Sequence, residues 1–347
     1  MIRKHKLHNL FTIIILTSGS IFYSCIHEEK TANTPESHIV KTPLPQQTAP
    51  KKREQKKITA ADIHLIKNLQ YTKHTLQDEY VYKDKTRRFQ WDKIKEELAN
   101  IENAINDEGY WAVLSNYKNL NTEAPTVKNF VRDDYGRVTD SYGVERYQSV
   151  PLYSIDNTKE VERYGRDGWV VKVEPDSSGT LKKIRGVSFE GEYWIPSRYL
   201  IEWGNTPKFG KVAVVDVTNQ NIATLERKED GWHILSMNPA TSGVHRPPHA
   251  QETPTGIFAI QEKKSKMFYF KDGTNVIHGY APFASRFSAG AYIHGIPTQD
   301  PQAPFTEYSS SLGTVPKSHK CVRNASSHAQ FVYRWATVKE SLVLVIK

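Results

Sequence analysis

Two short stretches near the end of the chain carry residue types able to do nucleophilic chemistry. The first is Tyr292-Ile293-His294-Gly295 and the second is Ser318-His319-Lys320-Cys321-Val322-Arg323-Asn324. Cys321 lies two residues past His319 and between two cations, Lys320 and Arg323. His294 closes a short apolar run, where a strand end is expected. Cysteine attacks as the thiolate, and an unassisted thiol of pKa ~8.5 is only about 3% ionised at neutral pH. A histidine within hydrogen-bond reach takes the proton and raises that fraction, but the two must meet in space rather than in sequence. His294, His319 and Cys321 are also zinc-ligand types. Only His319 and Cys321 stand at short spacing, however, and neither a metal nor a cofactor is expected. His245, His249 and His278 read as loop or packing histidines.

The segments that must position this pair lie upstream. Val212-Ala213-Val214-Val215-Asp216-Val217, then Gln220 and a second apolar run, reads as a strand pair. Ser242-Gly243 precedes Thr253-Pro254-Thr255-Gly256-Ile257-Phe258, a turn feeding a strand. Pro282-Phe283-Ala284-Ser285-Arg286-Phe287 leads into His294.

Taken in order, these pieces resemble the L,D-transpeptidase (YkuD-type) catalytic domain. That family's signature is His-Gly, a spacer, then Ser/Thr-His-Gly-Cys-Val/Ile-Arg, preceded by a motif similar to Thr-Pro-Thr-Gly-x-Phe. The match spans residues 208–347. It implies a mainly β catalytic domain of the L,D-transpeptidase sandwich type, with Cys321 as nucleophile and His294 as general base and acid. It further implies that the Gly295 carbonyl orients the imidazole, and that amides near Lys320 and Cys321 form an oxyanion hole. Ser318, His319 and Arg323 would shape the loop or bind a peptide carboxylate.

The implied partner is the peptide stem of peptidoglycan. A tetrapeptide donor would be attacked at its third residue, and the acyl group passed to an amine to give a 3→3 cross-link. Water as acceptor gives an L,D-carboxypeptidase, and a wall-binding protein without activity is the rival class. The stretch departs from the family at Lys320, where the family has glycine; the local conformation is expected to suit both residues. Another departure is the spacer: 23 residues separate His294 from Ser318. The extra length, around residues 298–311, is expected to form a lid or a cleft wall.

The start of the chain reads as an export signal. Arg3, Lys4 and Lys6 precede an apolar run from Leu10 to Tyr23 that ends at Ser24-Cys25. The run is shorter than the ~20 residues a spanning helix needs. Residues 1–25 resemble a bacterial lipoprotein signal, which implies a lipidated Cys25 and a membrane-anchored protein facing the periplasm or cell wall. The chain has two cysteines, so lipid on Cys25 would leave Cys321 a free thiol in a compartment that permits disulfides. Residues 26–58 are rich in proline and polar residues and read as a disordered linker.

Residues 59–125 read as a helical segment. Thr59 to Asp62 fits a capping box, and Ile63, Ile66, Leu69, Leu76 and Tyr80 follow helical spacing. Trp91, Ile94, Leu98, Ile101 and Ile105 mark a second helix, so an N-terminal helical hairpin is expected, packed on its own domain. Residues 140–205 turn to short apolar runs with turn residues between them, a pattern that loosely resembles an SH3-like β-barrel. The formal net charge of +9 falls to +6 without Arg3, Lys4 and Lys6, since no acid precedes Cys25. A basic surface suits a carboxylate-bearing polymer. No nucleic-acid signature appears, and export argues against such a partner.

Overall fold

Continuous apolar runs buried on both faces build the sheet behind the site. In the computed structural model, which describes residues 56–107, 110–175, 179–205 and 209–347, Lys211–Asp216 pairs antiparallel with Asn221–Lys228. It also pairs in parallel with Ser341–Ile346, all six residues of which are buried. Gly231–Pro239 and the edge strands Leu65–Lys67 and Gly256–Ala259 complete a six-stranded sheet. Its two faces bury different partners, as the alternation of side chains along a strand requires. Ala213 and Val215 pack with Ile293 and Val322, whereas Val212 and Val214 pack with Ile94, Leu98 and Ile101.

Those last three residues lie on the helix α1 (Trp91–Asn106), which therefore covers the outer face of the six-stranded sheet. The other helix among the described residues, α2 (Ser326–Trp335), packs through Val332 beneath a four-stranded sheet. That sheet runs Glu262–Phe270, Ile277–Ser288, Ala291–His294, Val322–Arg323. The last two strands are parallel, with Ile293 opposite Val322 and His294 opposite Arg323. The protein is thus mainly β.

A seven-stranded antiparallel sheet precedes residues 209–347 in the chain, running from Tyr110–Leu114 to Leu200–Gly204. It coils back on itself: a Cβ on Gly165 in its last-ordered strand would lie 2.4 Å from Leu114 Cδ1. The turn at Gly168 docks it on the four-stranded sheet through Phe287. Gly168 has φ +90°, and a Cβ there would sit 1.8 Å from the Phe287 carbonyl oxygen, so only glycine fits. Beside it, Asp167 is fully enclosed and joins both modules. Its carboxylate accepts from Asn116 N (2.8 Å), Arg286 Nη1 (2.9 Å), Gln261 Nε2 (3.1 Å) and Ala289 N (2.7 Å).

The N-terminal helical hairpin does not form. Only its second helix, α1, is present; residues 63–88 give the strands Leu65–Lys67, Glu79–Tyr82 and Lys85–Arg88. The spacing of Ile63, Ile66 and Leu69 mimics a helix, but the open edge of Gly231–Pro239 offers the segment backbone partners. Asn68 N, Gln70 N and Leu76 N donate to the carbonyls of Ile234, Leu235 and Met237. A short run with both periods is settled by such non-local pairing, which local spacing does not record. Residues 59–125 are accordingly not a helical segment, because Tyr110–Leu114 belongs to the seven-stranded sheet. The export signal, Cys25 and most of the linker lie outside the described residues.

Candidate active site

His294 ends the strand Ala291–His294 and Cys321 immediately precedes Val322–Arg323, its parallel neighbour. Alternation along the strands places Tyr292, His294, Cys321 and Arg323 on one face. Strand spacing and rise put the Cα atoms of His294 and Cys321 about 8 Å apart, within mutual reach of the two side chains.

The imidazole is held in one tautomer. His294 Nδ1 lies 2.6 Å from the Gly295 carbonyl oxygen, which only accepts, so Nδ1 carries the hydrogen. The neutral ring then presents an unprotonated Nε2, the form a general base needs. Burial pushes the ring's pKa down to about 4, against the opposing pull of the Gly295 carbonyl and with some help from the Arg323 charge. His294 is therefore neutral throughout the neutral pH range.

The thiol is held protonated by the same physics. Burial raises its pKa, and the backbone N–H of Tyr292 and the charges of Arg323 and Lys320 only partly counter it. Ala284, Tyr292 and Met267 pack around it, and Cys321 Sγ donates to the Gly290 carbonyl at 3.5 Å. In this resting arrangement the proton points at the Ala289-Gly290 turn rather than at His294.

The loop before Cys321 is fixed from below. Ser318, fully buried, donates through Oγ to the Cys321 carbonyl, and its amide bonds Ser242 O at 3.1 Å. Thr253 Oγ1 accepts from Gly243 N at 2.8 Å and donates to Lys320 O at 2.9 Å. A Cβ on Gly243 would lie 2.8 Å from Lys320 N, so glycine is needed for this close approach. Among the described residues, the amides of Lys320 and Cys321 find no hydrogen-bond acceptor, which leaves both N–H groups available to an oxyanion.

Lys320 has φ +75°, so the conformation here does not suit lysine and glycine equally: it is the left-handed one that favours glycine. Burial lowers the pKa of its ammonium. Arg323 is half-buried, and its Nε has no acceptor. His319 is not gathered with the others. It lies at the surface, its Nε2 3.6 Å from Asp272. His294, His319 and Cys321 therefore do not form a zinc site.

The spacer is tied to its surroundings. Tyr280 Oη donates to Ala303 O (2.8 Å), Ser326 Oγ to Thr306 O (2.6 Å) and Ser327 N to Glu307 (3.0 Å), while Lys73 pairs with Glu307 at 2.9 Å. Sequence reasoning missed Thr253 as a support of the nucleophile loop, having credited its motif with architecture only. It also missed Gly290, Tyr117 and Asp167. Tyr117 lies under the Arg286 guanidinium, 4.4 Å from ring centre to Cζ, and beside Tyr292. Nothing in the local sequence marks Tyr117 or Asp167, because both come from the other module.

No curated protein sequence matches the chain. Solved structures similar to it include L,D-transpeptidase 3 from Mycobacterium tuberculosis, at 18% identity over 65% of this chain and 94% of that one, with a TM-score of 0.33. An L,D-transpeptidase from Mycobacterium smegmatis is 17% identical over 51% and 82%, TM-score 0.33. One from Xylanimonas cellulosilytica is 20% identical over 40% and 60%, TM-score 0.27. Residues 210–345, the segment that holds both His294 and Cys321, match the family model of the YkuD L,D-transpeptidase catalytic domain.

Proposed function

We propose that the protein is a cysteine-dependent L,D-transpeptidase acting on tetrapeptide stems of peptidoglycan through a thioester. The observation that carries this reading is the bond from His294 Nδ1 to Gly295 O, which leaves Nε2 as a base on the sheet face that bears Cys321. Nε2 takes the thiol proton as sulfur attacks the carbonyl of the third stem residue. The amides of Lys320 and Cys321 receive the oxyanion, each such donor being worth about 3 kcal/mol. The imidazolium then protonates the terminal D-Ala amine, which leaves as the thioester forms. An acceptor amine attacks the thioester and loses its proton to Nε2; the new amide is the 3→3 cross-link, and the thiol is restored. Arg323, with an unpaired Nε, suits a carboxylate of the stem. Ser318 holds the loop, and His319 lies too far toward solvent for a chemical role.

With water in place of the amine, the same acyl-enzyme gives L,D-carboxypeptidase activity. A non-enzymatic wall-binding role is the third reading, motivated by the strained Lys320. Tetrapeptide-bearing wall fragments incubated with the protein and with Cys321→Ser separate the three by product mass. Cross-linked dimers from the unmodified protein alone support the transpeptidase, shortened monomers alone support the carboxypeptidase, and unchanged substrate leaves only binding. Residues 140–205, which give six strands of the seven-stranded sheet, are read as an SH3-like module, and residues 1–25 as a lipoprotein signal. Loss of membrane association in Cys25→Ser would support lipid anchoring there; unchanged association would rule it out.

A further inference from the structure

A cavity of about 990 Å³ opens between the seven-stranded sheet, α1 and the strand Gly256–Ala259, away from Cys321. Two of its lining side chains carry buried donors with no acceptor: Arg163 Nε and Trp169 Nε1. Arg163 is 6% exposed and Trp169 4%, so solvent does not substitute for the missing partners. An unsatisfied buried donor costs about 1–3 kcal/mol, and more when charged. Aromatic rings hold the guanidinium in place: Arg163 Cζ is 4.1 Å from the centre of Tyr142 and 5.1 Å from that of Phe189. Such contacts fix a cation without consuming its N–H groups. Gly256 bares the indole N–H, since a Cβ there would lie 2.6 Å from Nε1. Five lysine and arginine side chains line the cavity against three glutamates, and Glu192 among the latter is paired with Lys183.

We infer that this cavity binds a peptide bearing a free carboxylate, with the Arg163 guanidinium on the carboxylate and Trp169 Nε1 on a neighbouring carbonyl. A planar fork of donors prefers a carboxylate to any neutral group, and an indole N–H needs only a carbonyl. The site itself stands on the unpaired donors; that its ligand is a wall peptide rests on the reading above.

The smallest probe with both groups is N-acetyl-D-alanine. Titrated into the full-length protein, it shifts the indole N–H resonance that Trp169→Phe removes, whereas neutral N-acetyl-D-alaninamide binds at least tenfold more weakly. Arg163→Gln and Trp169→Phe each weaken binding, by tenfold or more and by a smaller factor, while Arg323→Gln, in the active site, leaves the shift of the Trp169 resonance unchanged. Equal binding of the acid and the amide overturns the site without requiring any variant to fold. Acetate binding as tightly as the probe overturns the peptide ligand. Cross-linking activity without probe binding rejects this cavity and spares the transpeptidase reading; probe binding without activity does the reverse.

Discussion

Cys321 Sγ donates its proton to the Gly290 carbonyl, 3.5 Å away, while His294 waits with Nε2 unprotonated on the same sheet face. Burial shifts both groups toward their neutral forms, the thiol upward and the imidazole downward. The resting site is therefore a neutral pair, not a thiolate–imidazolium pair, and proton transfer belongs to the attack itself.

Iodoacetamide alkylation of Cys321 against pH should therefore show a midpoint above the ordinary thiol value of ~8.5. His294→Gln should leave that midpoint in place while abolishing turnover. A midpoint below neutrality that rises in His294→Gln would show a resting ion pair and contradict the assignment.

Acid should destabilise the fold through its buried histidines. His294 titrates at about 4 and His328 at about 3, both pushed down from the ordinary 6.5 by burial. Between those values and 6.5 the unfolded chain binds protons that the folded one refuses, so stability is full above pH 6.5 and falls as pH drops. Between pH 7 and 5 each histidine should cost about 2 kcal/mol. Urea unfolding at the two pH values measures the loss, and His328→Gln should remove one share of it. A flat profile would mean that the rings are not buried neutral.

Lys320→Gly should stabilise the protein by roughly 1 kcal/mol, because φ +75° strains a side chain that glycine lacks. The gain is reduced by the greater freedom of glycine in the unfolded chain. Denaturant midpoints of the two proteins decide it; a lower midpoint in the variant would show that the lysine side chain contributes more than its strain costs.

Asp167→Ala should destabilise by roughly 3 kcal/mol, since it removes the buried partner of Arg286 and leaves it only the partly exposed Glu262, 3.4 Å away. The same carboxylate holds Ala289 N, one residue before the carbonyl that accepts the thiol's hydrogen bond. Asp167→Asn, which keeps an acceptor, should fold but alter the alkylation rate of Cys321. An unchanged rate would uncouple the turn from the thiol.

The segments that carry the candidate residues were legible because residue type and order mark them. The run into His294, the buried Ser318 and the opening strand pair Lys211–Asp216 with Asn221–Lys228 each occupy the structural place that their sequence context implies. What was not legible depends on partners distant in sequence. Ile63, Ile66 and Leu69 read as a helix until the edge of Gly231–Pro239 is known to be open to them. Lys320 showed only that glycine was missing, not that the backbone still adopts glycine's conformation. Asp167 and Tyr117 reach the site from a different sheet, and no spacing rule connects them to Cys321.

The central claim is that the sulfur of Cys321 takes up the acyl group. The most direct measurement is the mass of the protein quenched in acid during turnover of a tetrapeptide stem, followed by mapping of the modified peptide. The account predicts a gain equal to the stem less one D-alanine, on the peptide containing Cys321, and no gain in Cys321→Ser. Product formed with no such adduct, or an adduct on another residue, would contradict it.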